Sequence, residues 1–159
     1  MEIEVSVSSD GWSKDLTEVE TLVRDAANAA LIRCAPKLAD RDGEVAITLS
    51  GDDELRALNR QHRGQDKATN VLSFPMLDGD GPQVGEVDLL LGDIVIAHGV
   101  TAREAVEGNK KISDHLSHLV VHGVLHLLGY DHEENEDAEK METLEVEILR
   151  TLNIADPYR

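Results

Sequence analysis

Hydrophobic and polar residues alternate at the start of the chain. Ile3, Val5 and Val7 are separated by Glu4 and Ser6, the period-two pattern of a half-buried strand. The period then lengthens. From Asp15 to Cys34, the residues Leu16, Val19, Val23, Ala26, Ala27, Ala30, Leu31 and Cys34 recur every three or four positions, which predicts a helix stopping before Pro36. Val45, Ile47 and Leu49 return to alternation and predict a second strand. Ser50 or Asp52 is placed to cap a helix over about 53–62 that ends near Gly64.

NVLSFPM, residues 70–76, reads as a third strand closed by Pro75, and the Gly-, Pro- and Asp-rich LDGDGPQVGE, 77–86, as a loop. VDLLLGDIVIA, 87–97, is apolar enough for a strand buried on both faces, interrupted at Gly92 and Asp93. A helix near 101–107 follows. Ile112 to Leu128 is apolar nearly all round and predicts a central helix. Last comes an amphipathic helix from about Glu136 to Leu152, with Met141, Leu144, Ile148 and Leu152 inward.

Strands interleaved with helices predict an α/β (α+β) fold, a mixed sheet of about four strands packed with helices. No repeat, linker or boundary interrupts the 159 residues, so one domain over 1–159 is expected. Hydrophobic residues at 41% and charged residues at 30% exclude a disordered chain. No stretch is apolar enough to span a bilayer, and no basic end precedes an apolar block at the N-terminus. The expected location is cytoplasmic, without membrane. Cys34 stands alone and is read as a small buried hydrophobe in a reducing compartment.

Charge narrows the choice of partners. A net charge of −17 excludes unaided, non-specific nucleic-acid binding, which relies on Lys and Arg displacing counterions. It leaves room for a local basic site. Arg56, Arg60 and Arg63 share one side of the predicted helix, with Lys67 just beyond, so four of the fifteen basic residues fall within twelve positions. Surface ion pairs with Asp52, Asp53 or Glu54 would account for Arg56 and Arg60. A guanidinium also forks two donors onto phosphate oxygens, which lysine cannot copy. The stretch EENEDAEKMETLEVE, 133–147, with eight carboxylates and one lysine, reads as the solvated face of the last helix. Its early acids suit the positive end of that helix.

The candidate chemistry lies in histidines. His115, His118, His122 and His126 fall on the central helix, and the last three form a stripe with Cβ atoms about 5–6 Å apart. A zinc ion needs three or four converging ligands, and one straight helix presents only two to a given point. Gly129 offers a helix stop, after which the chain can return His132 toward His122 and His126. Three nitrogen ligands leave a coordination position open, as in catalytic rather than structural sites. His118 with His122 is a rival pair lacking the following Gly-x-x-His. His118 and His115 are therefore placed as partners of the ligands or on the substrate side. The spacing H-x-x-x-H-x-x-G-x-x-H is that of the metzincin zinc peptidases, except that Gly123 stands where they carry the general-base Glu. Glycine cannot move a proton, so an ordinary zinc protease is not expected.

HGVLHLLGYDH (122–132), HRGQDKATNVLSFPM (62–76) and LLGDIVI (90–96) together resemble the YbeY family of bacterial endoribonucleases, also called ribosomal RNA maturation factors. The similarity runs from the first strand to the closing DPY at 156–158. The resemblance implies a single-domain metalloprotein that cuts single-stranded RNA in small-subunit ribosomal RNA 3′-end maturation and ribosome quality control. Its implied partners are ribosomal RNA, the small ribosomal subunit and assembly proteins. It implies one divalent ion, zinc foremost, on His122, His126 and His132, and a functional arginine at Arg63. Ala68 stands where many relatives have Pro, which removes no chemical group.

On this reading the ion polarises a phosphate oxygen, Arg63 holds the scissile phosphate, and Arg60 and Lys67 assist binding. The proton carrier is left open among His118, Asp131 and a substrate hydroxyl, and the RNA 2′-OH is a second possible nucleophile. Two rivals stand beside it: a metal-dependent hydrolase of another substrate, and a non-catalytic assembly factor whose metal only fastens the last two helices.

Overall fold

The computed structural model describes residues 1–76, 89–131 and 133–159. Each alternating segment forms a strand: β1 (Glu2–Val7), β2 (Gly43–Ser50), β3 (Val71–Pro75) and β4 (Leu89–Ala97). They lie in the order β1-β2-β4-β3, with β1–β2 and β2–β4 parallel and β3–β4 antiparallel. The sheet is therefore mixed, as the pattern predicts. The start of the fourth strand at 87 and 88 and the loop 77–86 lie outside the described residues. Gly92 does not interrupt β4. Glu44 pairs with Leu90 and Val45 with Gly92, so Leu91 is an extra residue that bulges the strand while pairing continues to Ala97.

The helices depart from the sequence pattern at their ends, where tertiary contacts outweigh local signals. The helix expected over 15–34 begins only at Val19, as α2 (Val19–Cys34), and a separate short helix, α1 (Asp10–Asp15), precedes it, with an extended Leu16 and Glu18 at φ 52° between them. Trp12 explains the early turn: it is wholly buried, and its indole N–H donates to Ser50 O at 2.9 Å. Pro36 ends α2 but also opens a short helix, α3 (Pro36–Ala39), in the first-turn position that suits proline. Helix α4 (Asp52–Arg63) is capped by Gly51 rather than by Ser50 or Asp52, and Gly64 closes it. Asp52 instead accepts from the Val100 N–H at 3.0 Å, which lets α5 (His98–Glu107) begin three residues earlier than expected. Helices α6 (Ile112–Leu127) and α7 (Asn135–Thr151) follow their patterns closely.

The alternation sorts side chains onto two faces. Val45, Ile47, Leu49, Leu91, Ile94 and Ile96 meet the buried stripes of α2, α6 and α7 in the main core. Leu72, Val95 and Ala97 point the other way, toward Leu55 of α4. Cys34 is half-buried at the rim of the main core beside Tyr130, not fully inside, and burial raises its thiol pKa. Helix α6 is central, with Leu116, Val120, Val121, Val124 and Leu125 at zero exposure. Among the described residues no helix is long and apolar enough to cross a membrane.

Candidate metal centre

Helix α6 presents His118, His122 and His126 along its α7 side. The His122 and His126 Nε2 atoms are 3.0 Å apart, with the rings edge-on at 81°. The opposite nitrogen of His122, Nδ1, meets Glu145 Oε1 of α7 at 2.5 Å. An ionised carboxylate only accepts, so the shared proton sits on His122 Nδ1 and a neutral ring has its lone pair at Nε2. That lone pair faces the point His126 Nε2 also faces. Two imidazole nitrogens thus converge, and one is backed by a carboxylate as metal-ligating histidines usually are; they would supply two of the three or four ligands an ion needs.

Glu145 is wholly buried. Besides His122, it accepts from His118 Nε2 at 3.4 Å and from the Tyr158 hydroxyl. Burial by itself pushes its carboxyl up. The hydrogen bonds from His118 and His122, the charge on His122 and the Tyr158 hydroxyl together outweigh burial and hold it at about 2. Burial and the neighbouring Glu145 push the Tyr158 phenol well above its ordinary range. His118 also lies 3.3 Å from the Tyr158 hydroxyl, and its Nδ1 is buried without a partner among the described residues. His115 pairs through Nε2 with Glu104 at 2.9 Å, and burial lowers its pKa against the pull of that carboxylate.

Glu145 was hidden by composition. It belongs to the acidic stretch that reads as a solvated face, yet it is the carboxylate at the heart of the site. Spacing does carry a signal: Met141, Glu145, Ile148 and Leu152 are four, three and four apart, so Glu145 lies in the inward stripe of α7. Leu144 and Leu152, both expected inward, are only half-buried, and Leu149 is buried instead.

Helix α6 stops where the sequence predicts. Gly129 has φ 97°, its N–H reaches His126 O at 3.0 Å, and the Tyr130 N–H reaches Leu125 O at 3.0 Å. This pair of bonds is a Schellman turn, which needs the left-handed conformation glycine takes freely. Asp131 then accepts from the Glu133 N–H at 3.2 Å. His132 itself lies outside the described residues. Gly123 has a packing reason. A Cβ there would meet Ile94 side-chain atoms of β4 at 3.0 Å, so this side of α6 lies against the sheet, where no general base could serve the histidines.

The basic residues form a second, separate region. Arg60, Arg63 and Lys67 are exposed, and none makes a salt bridge among the described residues. Arg56 is taken by Asp66, at 2.8 and 3.1 Å, and not by the acids of its own first turn. The loop bearing Lys67 is tied to α4 by the buried Asn59, whose amide donates to Lys67 O at 2.9 Å. Helices α4 and α6 lie on opposite faces of the sheet, and edge strand β3 touches both. Phe74 meets His62 at 5.0 Å between ring centroids, and Ser73 Oγ donates to Gly123 O at 3.4 Å.

The family profile described as Endoribonuclease YbeY matches residues 6–153. A protein of that name from Rhizorhabdus wittichii is 49% identical over 98% of this chain and 96% of its own length. Another from Allorhizobium ampelinum is 43% identical over 99% and 95%. The solution structure of a Thermotoga maritima protein superposes with a TM-score of 0.55 at 27% identity, covering 96% of this chain and 92% of that one. With the profile spanning nearly every element from β1 to α7, the chain belongs to the endoribonuclease YbeY family.

Proposed function

We propose that this chain is a metal-dependent endoribonuclease cutting single-stranded RNA, with its place in small-subunit ribosomal RNA 3′-end maturation and ribosome quality control in the cytoplasm. The observation that carries the metal reading is the convergence of His122 and His126 Nε2, with His122 backed by a buried carboxylate. His122, His126 and His132 are the residues that would hold the ion. When bound, a divalent ion such as zinc supplies Lewis acidity toward a phosphate oxygen and makes a water more acidic; imidazole alone also suits copper, iron and nickel.

The chain's own residues do the rest. Arg63 forks two donors onto the non-bridging oxygens of the scissile phosphate and offsets charge growing there. Arg60 and Lys67 hold neighbouring phosphates from the same exposed edge. His118 has one nitrogen on Glu145 and Tyr158 and the other buried, so its place is in the scaffold. The proton then passes through Asp131, which is exposed just past the end of α6, or through the RNA 2′-OH. A net charge of −17 makes binding to bare RNA weak and salt-sensitive, and the small subunit with its assembly proteins delivers the substrate.

The test joins metal analysis of the purified protein to cleavage of a defined single-stranded RNA, with a peptide substrate in parallel. Wild type is expected to carry one metal equivalent and cut the RNA alone, and His126→Ala is expected to lose both metal and cleavage. Cleavage that survives in a metal-free protein would contradict the proposal. The product ends separate the two nucleophiles: a cyclic phosphate marks attack by the 2′-OH.

A further inference from the structure

The tail after α7 reaches back to the histidine row. Asn153, at φ 62°, and the Ile154 N–H bonded to Leu149 O at 3.0 Å end α7 in a Schellman turn like the one that closes α6. Lys110 Nζ then holds Pro157 O at 2.9 Å, and the Tyr158 ring stands edge-on to His118 at 5.5 Å. The Tyr158 hydroxyl donates to the same Glu145 oxygen that His118 approaches, which leaves the other oxygen to His122. No oxygen of this buried carboxylate is left without a partner.

From this geometry we infer that Glu145 is a positioning residue for the metal ligand His122, and that Tyr158 and His118 lock it in place. Glu145 requires the His122 proton to sit on Nδ1, so Nε2 is presented as a lone pair before any ion arrives. Tyr158 and His118 bind the second oxygen and prevent the carboxylate from rotating away. The C-terminal segment is thereby part of the ion site although it supplies no ligand. Alternative uses for a buried carboxylate fit less well. It is too enclosed to meet substrate, and its partners are two histidines of the ligand row and a tyrosine, not the arginine or lysine of a structural ion pair.

The inference rests on the metal reading above, and two measurements keep their failures apart. Long-range nitrogen–proton NMR of the zinc-free protein reads the His122 tautomer, and competition with a chromophoric chelator reads zinc affinity. Wild type is expected to hold the proton on Nδ1. Glu145→Gln, which keeps the shape but no longer demands that proton, is expected to mix the tautomers and weaken zinc binding by about 10- to 100-fold. Tyr158→Phe, which removes one hydroxyl, is expected to give a smaller loss in the same direction. Both variants binding zinc as tightly as wild type, or a wild-type His122 protonated at Nε2, would overturn the inference and leave the metal reading standing. A wild-type protein that takes up no zinc would overturn both. Should Glu145→Gln fail to fold, Tyr158→Phe decides alone: unchanged affinity refutes the lock.

Discussion

Two helices of this protein carry rows of titratable residues about one turn apart and put them to opposite uses. On α6, His118 and His122 are tied to α7 through Glu145, which is shut away from water, and His126 packs against His122. On α4, Arg56, Arg60 and Arg63 face solvent, and the one that is paired, Arg56, takes an equally exposed aspartate. Spacing decides which side chains share a face. Burial decides whether that face becomes a rigid constellation or a set of mobile charges. Rigidity suits ion ligands, whose lone pairs must converge before binding. Mobile guanidinium groups suit a long, flexible polyanion reached through water.

The contrast breaks most severely at Gly123→Glu, which restores the motif of a zinc peptidase. The new carboxylate would enter the contact with Ile94 and be buried unpaired, so a loss of about 3–5 kcal/mol or more is expected, seen as failure to fold by circular dichroism. A folded variant with protease activity would show that this side of α6 is open. Next in size, Arg63→Ala should lower RNA cleavage by about 100-fold, the cost of removing one transition-state donor. It should leave zinc content intact and stability within about 0.5 kcal/mol, as expected of an exposed arginine.

Acid titration probes the buried side. Glu145 has its carboxyl held at about 2 against an ordinary 4.5. Its contribution to stability is therefore complete above pH 4.5 and lost as pH falls through about 2. Glu145→Gln should flatten that part of the stability–pH curve, and an unchanged acid limb would mean that the carboxylate is not held ionised. Smallest of all, Arg56→Ala should leave the thermal midpoint unchanged at physiological salt, since its pair with Asp66 lies on the solvent-exposed surface.

The same distinction explains what could be read from sequence. All four strands and helices α2, α4, α6 and α7 announce themselves because their periods are local properties. The histidine row was legible for that reason, with His122 and His126 one turn apart on a helix and Gly129 marking its end. Helix α1 and the early start of α5 were not, because Trp12 bonding to Ser50 O and Asp52 capping Val100 join residues about 40–50 positions apart. Glu145 lay in plain view on the inward stripe of α7, but seven neighbouring carboxylates made it look like solvated surface. Tyr158 follows no period and gains its meaning only from the turn at Asn153.

The central claim is that His122, His126 and His132 share one ion while leaving it an open position. Zinc-edge X-ray absorption on the loaded protein, compared with His132→Ala, tests this most directly. Three imidazole nitrogens at about 2.0–2.1 Å, falling to two in the variant, are expected. A spectrum unchanged by the substitution would place the ion elsewhere and contradict the account.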